Sequence, residues 1–195
     1  MTRNGEGAVS TCMVPSDALI VERVRDGDVD AFRFLVTRHY GGLLRYAMRM
    51  LGNTADAEEA VQDTFVRAYR SLARYDSSRP VDSWLWGILV NRCRTTGAQR
   101  SRRERLQDDA SAAVADGDVP FVGSTGRHHE PRPELQRALE QLPEAHREAL
   151  LLKYLDERTY EEMNAVTGVS VSALKMRVKR AREQLEALLR EVYDE

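Results

Sequence analysis

The chain has 195 residues, 42% apolar and 31% charged, a composition typical of a folded soluble protein and not of a fibrous or disordered one. Its 29 basic and 31 acidic side chains give a net charge of −2, so any binding of nucleic acid must come from local clusters of cations. The only two cysteines, Cys12 and Cys93, lie in unlike surroundings, which argues against a disulfide framework. No apolar run reaches the roughly 18 residues of a membrane span. The N terminus also lacks the apolar core of a secretion signal, so we expect a cytoplasmic protein without membrane insertion.

Helical spacing of apolar residues begins after a small, polar N-terminal stretch. Residues 1–16 predict a disordered tail, and residues 17–106 predict a helical domain. Within that domain, GNTADAEEAVQDTFVRAYRSLARY has Asn53 or Thr54 as a plausible cap and a stripe of apolar residues at helical spacing. The run DSSRP ends this helix, and Pro80 favours the start of another that continues to about Arg105.

Residues 107–133 lose this periodicity and are rich in Ala, Ser, Gly, Asp and Pro. Five acidic residues against two arginines give the stretch a net charge of −3. It predicts a flexible acidic linker that repels DNA. Because residues 134–195 are again helical in pattern, the predicted fold class is all-α, with an N-terminal helical bundle and a C-terminal helix-turn-helix domain as two small domains joined by this linker.

The stretch TYEEMNAVTGVSVSALKMRVKRAREQLEAL indicates two helices around Gly168, where a tight turn favours positive φ. At 100° per residue, the second helix turns Val171, Leu174 and Val178 toward a core. Small, polar and cationic residues occupy the outer face and its flanks: Ser172, Ala173, Lys175, Met176, Arg177, Lys179 and Arg180. Such a helix suits the major groove of DNA, and the alternative is the solvated basic face of a structural hairpin.

A second basic cluster closes the first domain, where NRCRTTGAQRSRRER holds six arginines and one acid. It follows SWLWGILV, which contains Trp84 and Trp86. Cations beside aromatic rings suit single-stranded nucleic acid, because the rings stack on bases and the cations bind phosphates. The alternative is that the tryptophans belong to the core and the arginines to a solvated helix end.

Glu59, Gln62 and Asp63 share one face of the helix before DSSRP, at spacings of three and four residues. A helical metal site would also need Glu-x-x-His pairs, which the four histidines do not supply. We therefore interpret this face as a protein-docking surface, with plain solvation as the alternative. Since the sequence has no glycine-rich phosphate loop, Gly-x-Ser-x-Gly, His-Glu-x-x-His or Cys-x-x-Cys motif, we expect no enzyme, no cofactor and no metal.

Together these segments resemble the extracytoplasmic-function (ECF) group of bacterial RNA polymerase sigma factors. DAEEAVQDTFVRAYRSLARY is similar to that family's core-polymerase-binding helix, and SWLWGILVNRCRTTGAQRSRR to its segment that engages and melts the promoter −10 element. LEQLPEAHREALLLKYLDERTYEEMNAVTGVSVSALKMRVKRAREQLEALL resembles its C-terminal domain, which reads the −35 element. The resemblance covers about residues 17–105 and 134–189. The sequence departs from the family's common residues at Val81, Gly87, Thr95, Asn164 and Met176.

The resemblance implies a sigma factor without catalytic activity, which binds core RNA polymerase and directs promoter-specific initiation. It assigns polymerase binding, on the β′ clamp helices, to Glu59, Gln62 and Asp63. Beside the loop at residues 76–81, it assigns the −10 element to Arg79, Trp84, Asn91, Arg92 and Arg94. The seven outer residues of the last helix would meet the −35 element. Contacts with the β flap, duplex and single-stranded promoter DNA and an anti-sigma factor are also implied, and the alternative function is a stand-alone helix-turn-helix repressor or activator.

Overall fold

A computed structural model describes residues 15–110 and 133–193 of the chain. The helices within these ranges are α1 (Asp17–Arg25), α2 (Phe32–Leu51), α3 (Thr54–Ser71), α4 (Val81–Ala110), α5 (Pro133–Gln141), α6 (Glu144–Tyr154), α7 (Tyr160–Thr167) and α8 (Val171–Tyr193). No strand occurs in the described ranges, so the all-α prediction is confirmed. The predictions for residues 1–14 and 111–132, which cover most of the predicted tail and linker, lie outside the described residues.

Helices α1–α4 form the N-terminal module, in which α2, α3 and α4 pack against one another. Leu43, Val61 and Leu89, one from each of these three helices, are fully buried. Each such side chain stabilises the fold by about 1.5–3 kcal/mol. The side chain of Asn53 accepts a hydrogen bond from the backbone N–H of Asp56 at 3.0 Å, which confirms the predicted cap of α3.

Helix α4 is longer than the sequence indicated. It begins directly after Pro80, as expected, but it extends to Ala110 instead of ending near Arg105. The expected end was based on the loss of apolar spacing. Residues 106–110 (LQDDA) contain neither glycine nor proline, so this run has no residue that stops a helix. The first four residues of the predicted linker therefore belong to α4.

Helices α5–α8 form the C-terminal module, in which α8 packs on α6. Thr159 and Glu162 form a reciprocal capping box at the start of α7. Gly168 ends α7 with φ of 72°, so the predicted left-handed turn is confirmed. Leu174 and Val178 of α8 are buried, as their spacing predicted, whereas Val171 at the start of the helix is only half-buried.

The two modules pack directly on each other, with α7 against α4 and α6 against α2. Their buried apolar residues form one continuous cluster that includes Trp86 of α4 and Val166 of α7. A Cβ atom placed on Gly87 would lie 3.7 Å from the carbonyl oxygen of Val166, so α4 approaches α7 closely at this point. Periodicity within each segment gave no indication of this contact, because it joins residues far apart in the chain.

His39 of α2 lies between two carboxylates of the N-terminal module. Its Nε2 is 2.8 Å from Oδ2 of Asp17, and its Nδ1 is 3.5 Å from Oδ1 of Asp82. Burial alone would lower the pKa of His39, but hydrogen bonds to Asp82 and Asp17 outweigh burial and raise that pKa above 6.5. Burial would raise the pKa of Asp82, but contacts with His39 and Arg158 keep it below 3.8. Folding therefore favours protonated His39 and ionised Asp82.

This network makes stability depend on pH. We expect the free energy of unfolding of the wild type to exceed that of a His39→Gln variant. The difference is largest below pH 6.5, because protonated His39 binds both carboxylates. That excess is lost as the pH rises through the raised pKa of His39, since the folded protein then gives up its additional proton. Urea unfolding of both proteins from about pH 5.5 to about pH 8.5 measures the difference. Arg38 and Arg158 face the same carboxylates in both proteins, and a difference independent of pH would contradict the prediction.

Candidate nucleic-acid interfaces

The outer face of α8 presents the side chains that the sequence assigned to duplex DNA. Exposed on it are Ser172, Lys175, Met176, Lys179 and Arg180, while Ala173 and Arg177 are half-buried at its edges. Nζ of Lys175 lies 5.6 Å from the centre of the Tyr160 ring, and Lys179 pairs with Glu183 at 3.8 Å. Arg180 has no ion-pair partner among the described residues. The face is therefore open to a partner and carries at least one uncompensated cation.

The turn between α7 and α8 fixes the orientation of this face. Nδ2 of Asn164 donates a hydrogen bond to the carbonyl oxygen of Val169 at 2.9 Å. Oγ of Ser170 accepts one from the backbone N–H of Ala173 at 3.4 Å, at the start of α8. Met163 of α7 is fully buried. A helix braced in this way by its predecessor is the helix-turn-helix arrangement that places a recognition helix in the major groove.

The polar face of α3 carries Glu59, Gln62 and Asp63, as predicted, and the structure places Arg92 of α4 against it. Nη2 of Arg92 lies 3.1 Å from Oε1 of Glu59, and its Nε lies 2.9 Å from Oδ2 of Asp63. Arg67, one turn further along α3, also pairs with Asp63 at 2.9 Å. The sequence assigned Arg92 to DNA and the acids to polymerase, and the structure joins them in one charged cluster. Glu59 and Gln62 remain exposed.

A groove of about 610 Å³ lies between α3 and α4. Helix α4 lines it with Trp84, Asn91 and Arg92, three of the residues assigned to the −10 element. The ring of Trp84 packs against that of Tyr75, with 4.6 Å between the ring centres, and its side chain stays half-buried. The structure therefore brings together an aromatic ring, an amide and a cation, groups that can stack on bases and bond to them.

Three arginines in this groove were missed by the sequence analysis, and one of them, Arg67, pairs with Asp63. Arg70 of α3 and Arg74, in the 3-10 turn Leu72–Arg74, line the wall opposite α4. Both are exposed, and neither has an ion-pair partner in the described part of the chain. The sequence does contain a signal for a basic surface here. The arginines of RAYRSLAR are spaced at three and four residues, which places them on one face of a helix. That helix had been assigned to polymerase binding alone.

The other two residues predicted for the −10 element, Arg79 and Arg94, do not line the groove. Arg79 lies in the loop after α3, where its side chain is 3.9 Å from Asp76. The side chain of Arg94 extends to the C-terminal module and donates two hydrogen bonds to Glu148 of α6, at 2.7 and 2.8 Å. This pairing outweighs desolvation and raises the pKa of Arg94.

In a second ionic contact between the modules, the arginine belongs to the C-terminal module and the carboxylate to the N-terminal module. Arg158, which precedes α7, donates from Nη2 to Oδ2 of Asp82 at 2.7 Å. Its guanidinium carbon lies 4.6 Å from the centre of the Trp86 ring, a cation–π arrangement. Trp86 is 3% exposed, so of the two tryptophans it is the one that belongs to the core.

Two other features that the sequence analysis considered, a membrane span and a metal site, are absent from the described ranges. No helix within them is long and apolar enough to cross a membrane, and no group of three or more His, Cys, Asp or Glu residues there could hold a metal ion. Cys93 is 1% exposed, and burial raises the pKa of its thiol to about 12. It is therefore a protonated core residue.

Two family models match the chain. Residues 35–104 match sigma-70 region 2, and residues 132–185 match sigma-70 region 4. The ECF RNA polymerase sigma factor SigW of Bacillus subtilis is 30% identical over 183 residues, which cover 88% of this chain and 96% of SigW. The RNA polymerase sigma factor CarQ of Myxococcus xanthus is 35% identical over 178 residues, which cover 88% of this chain and 97% of CarQ.

Two solved structures also share the fold. CnrH in complex with the cytosolic domain of CnrY has a TM-score of 0.66 and 29% identity, and the match covers 91% of this chain and 99% of CnrH. The sigma factor RpoE of Bartonella quintana, in complex with the anti-sigma factor NepR, has a TM-score of 0.65 and 25% identity, and the match covers 82% of this chain and 96% of RpoE. Since both region models match in order and the relatives align over most of their length, the chain belongs to the ECF group of RNA polymerase sigma factors.

Proposed function

We propose that this sigma factor divides promoter recognition among three surfaces. The acidic face of α3 binds core RNA polymerase, the α3–α4 groove holds the displaced single strand of the −10 element, and the outer face of α8 reads the −35 duplex. The observation that carries the proposal is the groove, which places the unpaired Arg70 and Arg74 opposite Trp84 and Asn91. An aromatic ring with cations along one wall suits a single strand, while a protein that reads only duplex DNA has no use for it.

The groove can stabilise melted DNA without consuming ATP. Base stacking on an aromatic side chain contributes about 1–3 kcal/mol per base. This offsets an unpairing cost of a few kcal/mol. Arg70 and Arg74 add phosphate contacts that fix the path of the strand, while Trp84 and Asn91 meet the bases. The chain therefore acts by binding and catalyses no reaction.

The −35 and −10 contacts are weak when taken singly, because each module offers few uncompensated cations to DNA. Polymerase compensates by holding both modules at a fixed separation, so that the second contact forms at a high effective concentration. The exposed acids of α3 provide the surface for this attachment, on the β′ clamp helices, and the C-terminal module meets the β flap. The chain then acts in the cytoplasm with polymerase, and a protein of the anti-sigma class, as bound to RpoE of Bartonella quintana, restrains it.

Transcription with purified core polymerase tests the proposal as a whole. We expect the chain to direct initiation at defined start sites on genomic fragments, each preceded by shared −10 and −35 sequences. A stand-alone helix-turn-helix repressor or activator would instead footprint duplex operators unaided, as a dimer on paired half-sites. The proposal fails if no fragment supports specific initiation while the chain alone protects duplex DNA.

Asp63→Asn tests the polymerase-binding face. Loss of this charge removes one carboxylate from the docking face, leaves Arg92 paired with Glu59 alone and takes the partner of Arg67 away. We therefore expect affinity for core polymerase to fall about tenfold, equivalent to about 1.4 kcal/mol. Fluorescence anisotropy of the labelled chain titrated with core polymerase measures the effect, and circular dichroism checks the helices. The control is Glu22→Gln, which removes an exposed acid of α1, outside the docking face. Equal affinity of the two variants would argue against this face.

Arg74→Gln tests the groove. If Arg74 binds a phosphate, the slope of log affinity against log salt for a single-stranded −10 oligonucleotide becomes shallower by about 0.7, and affinity falls at low salt. Titrations of the polymerase holoenzyme at several salt concentrations measure both quantities. Arg137→Gln removes an exposed arginine of α5, outside the groove, and should change neither the slope nor the affinity. A slope unchanged in Arg74→Gln would remove this residue from the strand path.

A further inference from the structure

Helix α1 ends against the turn that carries one wall of the α3–α4 groove. Arg25, in the last turn of α1, donates hydrogen bonds from Nε and Nη2 to the carbonyl oxygen of Leu72, at 3.2 and 3.1 Å. Its Nη2 also donates to the carbonyl oxygen of Tyr75. A cation is favourable at this end of α3 and its 3-10 turn, because the last carbonyls of a helix have no partner within it. Arg25 therefore holds the backbone on both sides of Arg74.

Tyr75 connects this turn with two other parts of the site. Its side chain is buried, and the guanidinium carbon of Arg25 lies 5.8 Å from the centre of its ring. The ring centre of Trp84 lies 4.6 Å from that of Tyr75. The hydroxyl of Tyr75 donates a hydrogen bond to the carbonyl oxygen of Arg79, in the loop after α3. One ring thus links α1 to the aromatic side chain of the groove and to the loop beside it.

Arg25 itself does not line the groove, and its Nε and Nη2 are engaged by backbone carbonyls. A side chain in such a place can still raise the affinity for DNA. Binding costs less when the groups that meet the ligand are already ordered, since their freedom is then not lost on association. The supported groups here are Arg74, which lies between the two held carbonyls, and Trp84, which packs on Tyr75.

We propose that Arg25 is a positioning residue of the −10 site, through which α1 holds the turn that presents Arg74 and the ring that supports Trp84. The groove is then ordered for a single strand before DNA arrives. The inference rests on the proposed function in taking the groove as the −10 site. Arginine suits this role because its planar fork donates to two acceptors in a fixed geometry, whereas lysine offers a single flexible ammonium group.

Fluorine NMR of the free, full chain tests the positioning without DNA. Labelling with fluorotryptophan gives one resonance for each of the two tryptophans, and Trp84→Phe assigns them. Arg25→Gln should shift and broaden the resonance of Trp84 and leave that of Trp86, a core residue, unchanged. The matched control is Arg23→Gln, which removes the same charge from the same turn of α1, where it pairs with Asp28, and should change neither resonance. An unchanged Trp84 resonance in Arg25→Gln would refute the proposal.

Binding of the polymerase holoenzyme to the single-stranded −10 oligonucleotide tests the consequence. Arg25→Gln should weaken binding about fivefold, because the groove must then be ordered as the strand binds. The slope of log affinity against log salt should stay that of the wild type, because no phosphate contact is lost. Arg25→Lys restores the charge but not the grip on two carbonyls, so it should recover little of the affinity. A shallower slope in Arg25→Gln, with binding restored in Arg25→Lys, would make Arg25 a phosphate contact and overturn the proposal.

Circular dichroism checks that each variant keeps its helices. If Arg25→Gln unfolds, Arg25→Lys carries both measurements, since it keeps a cation at the same place. The result for Arg74→Gln separates this inference from the proposed function. If Arg74→Gln changes the salt slope while Arg25→Gln leaves the affinity at the wild-type value, only the positioning role is refuted. If Arg74→Gln has no effect either, the groove is not the strand path and the proposed function fails with it.

Discussion

Arg92 and Arg94 lie two residues apart on α4, and the arrangement of the molecule depends on where each finds a carboxylate. Two steps of 100° place them on nearly opposite sides of the helix. Arg92 reaches Glu59 and Asp63 of α3, and Arg94 reaches Glu148 of α6. One turn of α4 is thus tied to its own bundle on one side and to the C-terminal module on the other.

Apolar packing and ionic contacts have different roles at the module interface. Burial of apolar surface favours association but does not select an orientation, because the hydrophobic effect is not directional. A bidentate arginine–carboxylate pair has a fixed geometry and is costly to break when buried. The continuous apolar cluster therefore supplies attraction between the modules, and the pairs of Arg94 and Arg158 determine how α6 and α7 lie on α4.

The features that the sequence predicted are those set by neighbours in the chain. The cap at Asn53, the left-handed turn at Gly168 and the outer face of α8 follow from spacing within one or two helical turns. By contrast, Arg94 and Glu148 are 54 positions apart, and no periodicity connects them. The end of α4 was placed too early because apolar spacing fades before the helix does.

The two tryptophans also show that local sequence does not determine which residue is buried. Trp84 and Trp86 stand two positions apart in one apolar run, and composition gives no reason to separate them. The structure buries Trp86 beneath Arg158 and leaves Trp84 in the groove beside Tyr75. Trp86 also packs against Tyr46 of α2, so which side of α4 is covered depends on α2 as well as on the C-terminal module, and that information is absent from the local sequence.

The near-neutral composition conceals how the cations are distributed. Arg92, Arg94 and Arg158 are already compensated by carboxylates, and they contribute little to the field that DNA experiences. Arg70, Arg74 and Arg180 have no ion-pair partner in the described part of the chain, and these residues line the groove or the outer face of α8. The affinity for phosphate depends on these uncompensated charges and not on the total number of basic residues. A chain with a net charge of −2 can therefore recognise DNA at defined surfaces while its other cations hold the fold together.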